Sequence, residues 1–86
     1  MPEPMSSRRS QVDPLIGILL RAARQKQKRS QESIAWSCNI SQSKYSEIER
    51  GASRPSTAVF VRLARELNIE RSEWPPVYAA AFENGE

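Results

Sequence analysis

The chain has 86 residues and a formal net charge of +3, a length that suits one small domain. It contains no histidine, and its one cysteine is Cys38. These counts exclude a zinc site of Cys and His ligands, catalysis by a Ser-His-Asp triad or a Cys-His pair, and an intramolecular disulfide. We therefore predict that the protein is not an enzyme and has no catalytic, metal or cofactor site.

The apolar segments of the chain are short. The longest near-continuous apolar run, residues 15–20, is far too short to span a bilayer. Residues 1–10 lack the apolar segment of a signal peptide. We expect a soluble cytoplasmic protein with no membrane partner.

The first predicted helix follows a polar segment. Residues 1–12 are rich in proline, serine and arginine and show no hydrophobic periodicity, which predicts a flexible arm. Asp13 and Pro14 favour a helix start, with Asp13 as the N-cap and Pro14 at the first helical position. This helix is predicted to run to about Lys28. Its apolar face is formed by Ile16, Leu19, Leu20 and Ala23.

Residues 30–51 predict two short helices joined by a tight turn. Ser30 and Ser41 are placed to cap the two helix N-termini, and Gly51 is placed to end the second helix in a left-handed cap. Asn39 lies in the turn. The turn of a helix-turn-helix needs one residue at positive φ, a conformation that asparagine tolerates, and the alternative is that Asn39 is only a polar turn residue. Cys38 belongs to the apolar face of the first of these helices, so we expect a core residue rather than a reactive thiol.

The remaining segments also favour helices. Ser56 is predicted to cap a helix that is stopped by Asn68 and has an apolar stripe of Val59 or Phe60, Leu63, Ala64 and Leu67. Ser72 is predicted to cap a final helix that is entered through Pro75-Pro76. The expected fold is all-α, a compact bundle of about five helices over residues 13–83, followed by a short tail at 84–86.

The helix predicted after Ser41 has two different faces. Tyr45 and Ile48 form its inner face, whereas its outer face carries short polar groups that suit hydrogen bonding. These outer residues are Gln42, Ser43, Lys44 and Ser46. In a basic chain, a helix presented in this way has the shape that enters the major groove of DNA.

Charge is unevenly distributed along the sequence. Residues 1–30 have seven Lys and Arg against two acidic residues, residues 31–54 are balanced, and residues 55–86 have three Arg against five Glu. The basic run of Arg24, Lys26, Lys28 and Arg29 is either a solvated helix end or a set of phosphate contacts.

Several separate motifs, in order and with matching spacing, carry a family resemblance. They are SQESIA (30–35), Ile40-Ser41, SEIERG (46–51), Arg54-Pro55-Ser56 and LARELNI (63–69), with Gly17, Leu20 and Arg24 before them. Over Ile16 to Trp74 the chain resembles the lambda-repressor-like (Xre/Cro) helix-turn-helix family of phage repressors and bacterial regulators. Arg29, Asn39 and Trp36 depart from the pattern of that family.

The resemblance implies a role for each polar position. Gln42 and Ser43 match positions that read base edges, and glutamine can pair with adenine N6 and N7. Lys44 is suited to guanine or to a phosphate, and Ser46 to a base. Gln31, Arg50 and Arg54 match positions near the DNA backbone. The complete predicted set of DNA-binding residues is Gln31, Ser41, Gln42, Ser43, Lys44, Ser46, Arg50 and Arg54.

The resemblance also implies structural roles. Glu49 matches a glutamate that pairs with an arginine of the first helix, here Arg24. Glu47 is ambiguous, and we favour solvent exposure for it. Proteins of this kind usually dimerise on palindromic sites. The segment 74–82 is either the dimer surface or part of the core of its own subunit, and Arg8 and Arg9 of the arm are additional candidates for DNA contact.

These observations lead to one main hypothesis and one alternative. The main hypothesis is a sequence-specific DNA-binding transcriptional regulator of a bacterium or phage, a repressor that binds double-stranded DNA as a homodimer. The alternative is a protein-interaction module or antitoxin-type component with the same fold, which acts through a toxin or another regulator.

Overall fold

A computed structural model describes residues 14–83 of the chain. They form α1 (Pro14–Lys26), α2 (Gln31–Ser37), α3 (Gln42–Glu49), α4 (Thr57–Glu66) and α5 (Pro76–Glu83), with a 3₁₀ turn at Arg71–Glu73 before α5. The described range contains no strand, which confirms the predicted all-α bundle. The predicted arm (1–12) with Arg8 and Arg9, the Asp13 cap and the tail (84–86) lie outside these residues.

Three serines cap helix N-termini as predicted. The hydroxyl oxygens of Ser30, Ser41 and Ser56 accept hydrogen bonds from the backbone N–H groups of Ser33 (3.0 Å), Lys44 (3.0 Å) and Val59 (3.2 Å). Each bond satisfies a donor that has no partner within its own helix. The starts of α2, α3 and α4 are therefore fixed by local sequence.

Helices α1 to α4 end in the same way, with a residue in the left-handed region. Lys28 (φ 57°), Asn39 (60°), Gly51 (79°) and Asn68 (57°) occupy these positions. In the turn after α2, the N–H of Ile40 donates to the carbonyl of Ala35 (3.0 Å), and equivalent bonds close the other three ends. This is the Schellman motif. The predictions for Asn39 and Gly51 are confirmed.

Two predicted boundaries were wrong. The first helix ends at Lys26, not at about Lys28, because Lys28 adopts a left-handed conformation that terminates the helix. Ser72 caps no helix, since it lies inside the 3₁₀ turn. Helix α5 begins directly at Pro76, whose fixed φ and missing N–H suit the first position of a helix.

One core joins all five helices. Its fully buried side chains include Ile16, Leu20, Ile34, Tyr45, Ile48, Phe60 and Leu63. Leu19, Ala23 and Val59 are partly buried against it, so the predicted apolar faces of α1 and α4 are confirmed. Cys38 is 2% exposed and behaves as the small core residue that was expected.

Helix α5 packs against α4 through aromatic side chains. The ring of Tyr78 stacks on Phe60 with centroids 4.3 Å apart, and Trp74 meets Phe60 edge to face at 5.4 Å. Trp74 and Tyr78 are thus part of the core of their own subunit, whereas Val77 and Phe82 are 49% and 37% exposed. Of the two interpretations of segment 74–82, the structure supports the core one for Tyr78, which is buried, and for Trp74, which is partly buried against the core.

Gly17 determines how closely α1 can approach α3. It is buried, and a Cβ atom built on it would overlap the carbonyl oxygen of Glu49 and would lie 2.7 Å from that of Ile48. Only a residue without a side chain allows the two backbones to lie this close.

We expect Gly17→Ala to lower the free energy of unfolding by about 1–3 kcal/mol, because the added methyl group forces the packed backbones apart. Urea titration measures this change. The control is Ile18→Ala at the neighbouring position, where the side chain is 60% exposed and the change should stay within about 0.5 kcal/mol. Equal stability of Gly17→Ala and the unmodified protein would contradict the close packing of α1 on α3.

Candidate nucleic-acid interface

Helix α3 presents polar side chains to solvent on one side and is packed on the other. Gln42, Ser43 and Lys44 are exposed, while Tyr45 and Ile48 are 0% and 1% exposed. Because α3 starts at its Ser41 cap, the three exposed residues occupy its first turn. The first turn is therefore free to contact a ligand while the helix stays anchored to the core.

A shallow polar cleft of about 330 Å³ lies beside this first turn. It is lined by Gln31, Gln42, Ser43, Ser46, Glu47 and Arg50. The cleft brings together five of the eight residues predicted to bind DNA. Ser41, Lys44 and Arg54 lie outside its lining. Glu47, for which solvent exposure is the favoured prediction, is half-buried and also lines the cleft.

The end of α3 is tied to α1 by a buried ion pair. Arg24 donates from Nε to Glu49 Oε2 (2.6 Å) and from Nη2 to Glu49 Oε1 (3.1 Å), and the two side chains are 13% and 3% exposed. This bidentate geometry is the strong form of an arginine–carboxylate contact. The pairing of Arg24 with Glu49 is confirmed.

Gln31 connects α2 to the same carboxylate. Its Nε2 donates to Glu49 Oε1 at 2.9 Å, and the remaining Arg24 nitrogen, Nη1, donates to the carbonyl of Arg29 at 2.9 Å. Glu49 thus accepts from two different helices. Gln31 has a structural partner that the sequence gave no reason to expect, in addition to its place in the cleft.

The environment of Glu49 favours its charged form. Burial acts to raise the pKa of its carboxyl group, but hydrogen bonds from Arg24 and Gln31 and the charge of Arg24 outweigh burial and hold the pKa below its ordinary value. The pKa of the neighbouring Tyr45 hydroxyl is raised, first by burial and then by Glu49. Tyr45 Oη is buried and has no hydrogen-bond partner of good geometry among the described residues.

Three basic side chains lie around α3 in different settings. Lys44 Nζ donates to Ser53 Oγ (2.7 Å), and Arg50 Nη1 donates to Ser46 Oγ (2.8 Å). The guanidinium carbon of exposed Arg54 lies 5.9 Å from the ring centroid of Tyr78. Neither Lys44, Arg50 nor Arg54 makes an ion pair within residues 14–83, so their charges are available to an anionic ligand.

The basic run from Arg24 to Arg29 divides into two kinds of residue. Arg24 and Arg29 make internal contacts, and Arg29 Nη1 pairs with Glu66 of α4 at 2.6 Å while its other nitrogens bind Ser33. Lys26 and Lys28 are exposed. Neither of the two interpretations therefore describes the whole run. Its two arginines connect the end of α1 to α3 and α4, and only its two lysines are exposed.

Two residues near the interface, Arg21 and Tyr78, are not among the residues that the sequence predicted to bind DNA. Arg21 of α1 lines a second small cavity next to the first turn of α2, together with Gln31 and Arg50. Tyr78 of α5 donates to the carbonyl of Pro55 at 2.6 Å and so holds the loop that carries Arg54. Helical periodicity predicts both helices, but it does not reveal which distant loop or cavity each side chain meets.

Among residues 14–83, no three His, Cys, Asp or Glu side chains lie close enough together to hold a metal ion. Within the same range, every helix is too short or too polar to cross a membrane.

The lowered pKa of Glu49 predicts acid sensitivity at one site. At pH 7, Glu49→Gln should cost up to about 3–5 kcal/mol of unfolding free energy, because Arg24 is left buried without its partner. As pH falls below the ordinary glutamate pKa of about 4.3 and through the lower folded value, the protein loses this contribution, and the difference from Glu49→Gln should shrink.

Chemical denaturation between pH 7 and pH 3 measures this difference. Glu66→Gln is the control, because the side chain of Glu66 is 32% exposed and the ion pair it loses should be worth no more than about 1 kcal/mol. A difference for Glu49→Gln that is the same at both ends of the range would rule out a charged, stabilising Glu49.

Comparison with known families agrees with this geometry. A family model described as a helix-turn-helix domain matches residues 15–75. That range contains the segment on which the resemblance to the lambda-repressor-like family rests. Comparisons with curated proteins and with solved structures found no match. Because the model covers more than half of the chain, the protein belongs to the helix-turn-helix domain family, a family of DNA-binding domains.

Proposed function

We propose that the protein is a sequence-specific transcriptional regulator, a repressor, that inserts the first turn of α3 into the major groove of DNA. The observation that carries this proposal is the arrangement of α3. Its inner face and its last residue are fixed to the core and to Arg24, while Gln42, Ser43 and Lys44 stand exposed beside a polar cleft. A recognition helix has to combine these two properties, since it must be held rigidly and yet expose hydrogen-bonding groups.

The first turn of α3 contacts the bases. Gln42 has an amide that can bind adenine N6 and N7 in a two-pronged contact, and Ser43 is compatible with several bases. Lys44 reaches either guanine or a phosphate, and Ser46 reaches a base from the next turn. Ser41 contacts a backbone phosphate by donating its hydroxyl proton, because phosphate oxygens only accept hydrogen bonds. Its oxygen can accept from Lys44 N–H at the same time.

Gln31, Arg50 and Arg54 position the duplex through its phosphates. The side-chain amide of Gln31 has two N–H donors, and Glu49 uses one of them, so one donor remains for DNA. Arg50 likewise keeps donors beyond its bond to Ser46, and Arg54 has no acidic partner within the described residues. Such contacts set register and orientation without reading sequence.

A protein partner is the second candidate function, and Trp36 favours it. The side chain of this tryptophan on α2 is 84% exposed, an unusual position for so large an apolar group. Under this candidate the fold serves an antitoxin or adaptor that binds another protein. It predicts that the chain binds a selected duplex no better than random DNA.

Selection of bound duplexes from a random pool, followed by gel shifts at two salt concentrations, separates the two candidates. An enriched motif with binding stronger than to random DNA supports the regulator. The absence of any enriched motif would overturn it.

Two variants should affect binding in different ways, one by changing base preference and the other by lowering affinity for all sequences. Gln42→Ala should relax preference at one base position, at a cost of about 1–3 kcal/mol. Arg54→Ala should instead weaken binding to all sequences by a similar factor and reduce the salt dependence. Repeating the selection with each variant measures both effects. If Arg54→Ala altered the preferred bases, or if Gln42→Ala left them unchanged, the assignment of roles would be wrong.

A homodimer on a palindrome is expected because one domain of this size buries only about 600–1,000 Å² of its surface on DNA, which limits specificity. Two chains should therefore bind one duplex whose half-sites lie about 10 base pairs apart, centre to centre.

Inserting about 5 base pairs between the half-sites turns one of them to the opposite face of the helix. We expect this change to weaken binding sharply in gel shifts, because the two subunits of a dimer can no longer contact both half-sites at once. The mass of the complex in sedimentation gives the number of chains bound to the intact palindrome. An insertion of about 10 base pairs is the control and should restore part of the binding. A single chain bound to the intact palindrome would contradict the dimer.

A further inference from the structure

A second cavity, of about 260 Å³, opens where α1, α2 and α3 meet. It is lined by Arg21, Arg24, Gln31, Ser46, Glu49 and Arg50. Gln31, Ser46 and Arg50 also line the cleft beside the first turn of α3. The two depressions are therefore neighbours, and the second extends the candidate interface from α3 onto α1.

The charges around this cavity do not cancel. The carboxylate of Glu49 is matched by Arg24, with which it forms a two-pronged pair. Arg21 and Arg50 are exposed, and neither pairs with a carboxylate within residues 14–83. Arg50 donates one nitrogen to Ser46 and keeps the others. Two uncompensated guanidinium groups thus line one small polar cavity, an arrangement that favours an anion with several acceptor oxygens.

The position of the cavity indicates which kind of anion it would bind. Gln31 and Arg50 border both depressions. If bases contact Gln42 and Ser43, we expect the sugar-phosphate strand that flanks the groove to pass beside these two residues. A backbone phosphate has the oxygens that two arginines can share. The other cations near the end of α1 are less suitable, because Arg24 and Arg29 are already in ion pairs and Lys26 and Lys28 line neither depression.

We propose that Arg21 and Arg50 jointly bind one phosphate of the DNA backbone in this cavity, so that α1 contacts DNA directly. The proposal rests on the proposed function, since it assumes that α3 lies in the major groove. It adds Arg21, a residue outside the helix-turn-helix segment 30–51, to the DNA-contacting set.

The test compares Arg21→Gln with Arg62→Gln on a selected duplex and on an unrelated one. Arg62 is a matched control because it is an exposed arginine of α4 that lines neither depression. We expect Arg21→Gln to weaken binding to both duplexes about tenfold. It should also reduce the slope of log affinity against log salt by about 0.9, the change for one lost phosphate contact. Arg62→Gln should leave the slope unchanged.

Duplexes with single methylphosphonates, each of which removes one phosphate charge, locate the contact. A methylphosphonate at one position should lower the affinity of the unmodified protein for the duplex. It should not lower the affinity of Arg21→Gln further, because that variant has already lost the same contact. If Arg21→Gln behaves like Arg62→Gln, or if every methylphosphonate affects it as it affects the unmodified protein, the proposal is overturned.

Inorganic phosphate at constant ionic strength distinguishes a second source of the anion. If it competes with DNA through Arg21 while no single methylphosphonate has an effect, the cavity binds free phosphate and the proposal is wrong. Failure of the proposed function gives a different result, namely no preference of the unmodified protein for the selected duplex. In that case the salt slopes on unrelated DNA still decide whether Arg21 contacts a phosphate.

Discussion

The candidate interface depends on the buried ion pair between Arg24 and Glu49. Glu49 is the last residue of α3, Arg24 comes from α1, and Gln31 of α2 donates to the same carboxylate. One acidic group therefore joins the three helices that surround the cleft. A buried pair is not necessarily stabilising overall, because desolvation offsets much of its attraction. We infer that its main role is to orient α3, and the absence of a side chain at Gly17 lets α1 lie close enough for the pair to form.

The arginines close to α3 and to the end of α1 divide into two groups. Arg24 and Arg29 satisfy carboxylates of α3 and α4, and their charges are largely cancelled. Arg21, Arg50 and Arg54 have no acidic partner within the described residues. Arg21 and Arg50 line the cavity beside the end of α3, and Arg54 belongs to the loop that follows this helix. Tyr78 of α5 fixes the loop that carries Arg54 by donating to the Pro55 carbonyl. The fold thus holds a small set of free cations around a polar helix, which is the charge distribution that a duplex would meet.

Local signals were enough to predict most of the fold. Serine caps, the left-handed Asn39 and Gly51, and the apolar faces all depend on residues within a few positions of one another, so the sequence shows them directly. Lys28 was missed because a lysine in the left-handed region has no sequence signature, and Ser72 was misassigned because Pro76 starts α5 without it. The contacts of Arg29 with Glu66 and of Tyr78 with Pro55 join residues far apart in the chain, and only the packed structure reveals them. For the candidate site, the family resemblance supplied Arg24 with Glu49, whereas Arg21 emerged from the shape of the surface.

A double-mutant cycle on Arg24 and Glu49 tests most directly whether this pair holds the recognition helix. Unfolding free energy and affinity for the selected duplex would be measured for Arg24→Met, Glu49→Leu and the double variant. We expect each single change to lose both stability and affinity, and the double variant to lose less stability than the sum, with a coupling of about 0.5–3 kcal/mol. Its affinity should remain low, because nothing then fixes the end of α3 to α1. Additive effects on stability, together with full affinity in all three variants, would contradict the account.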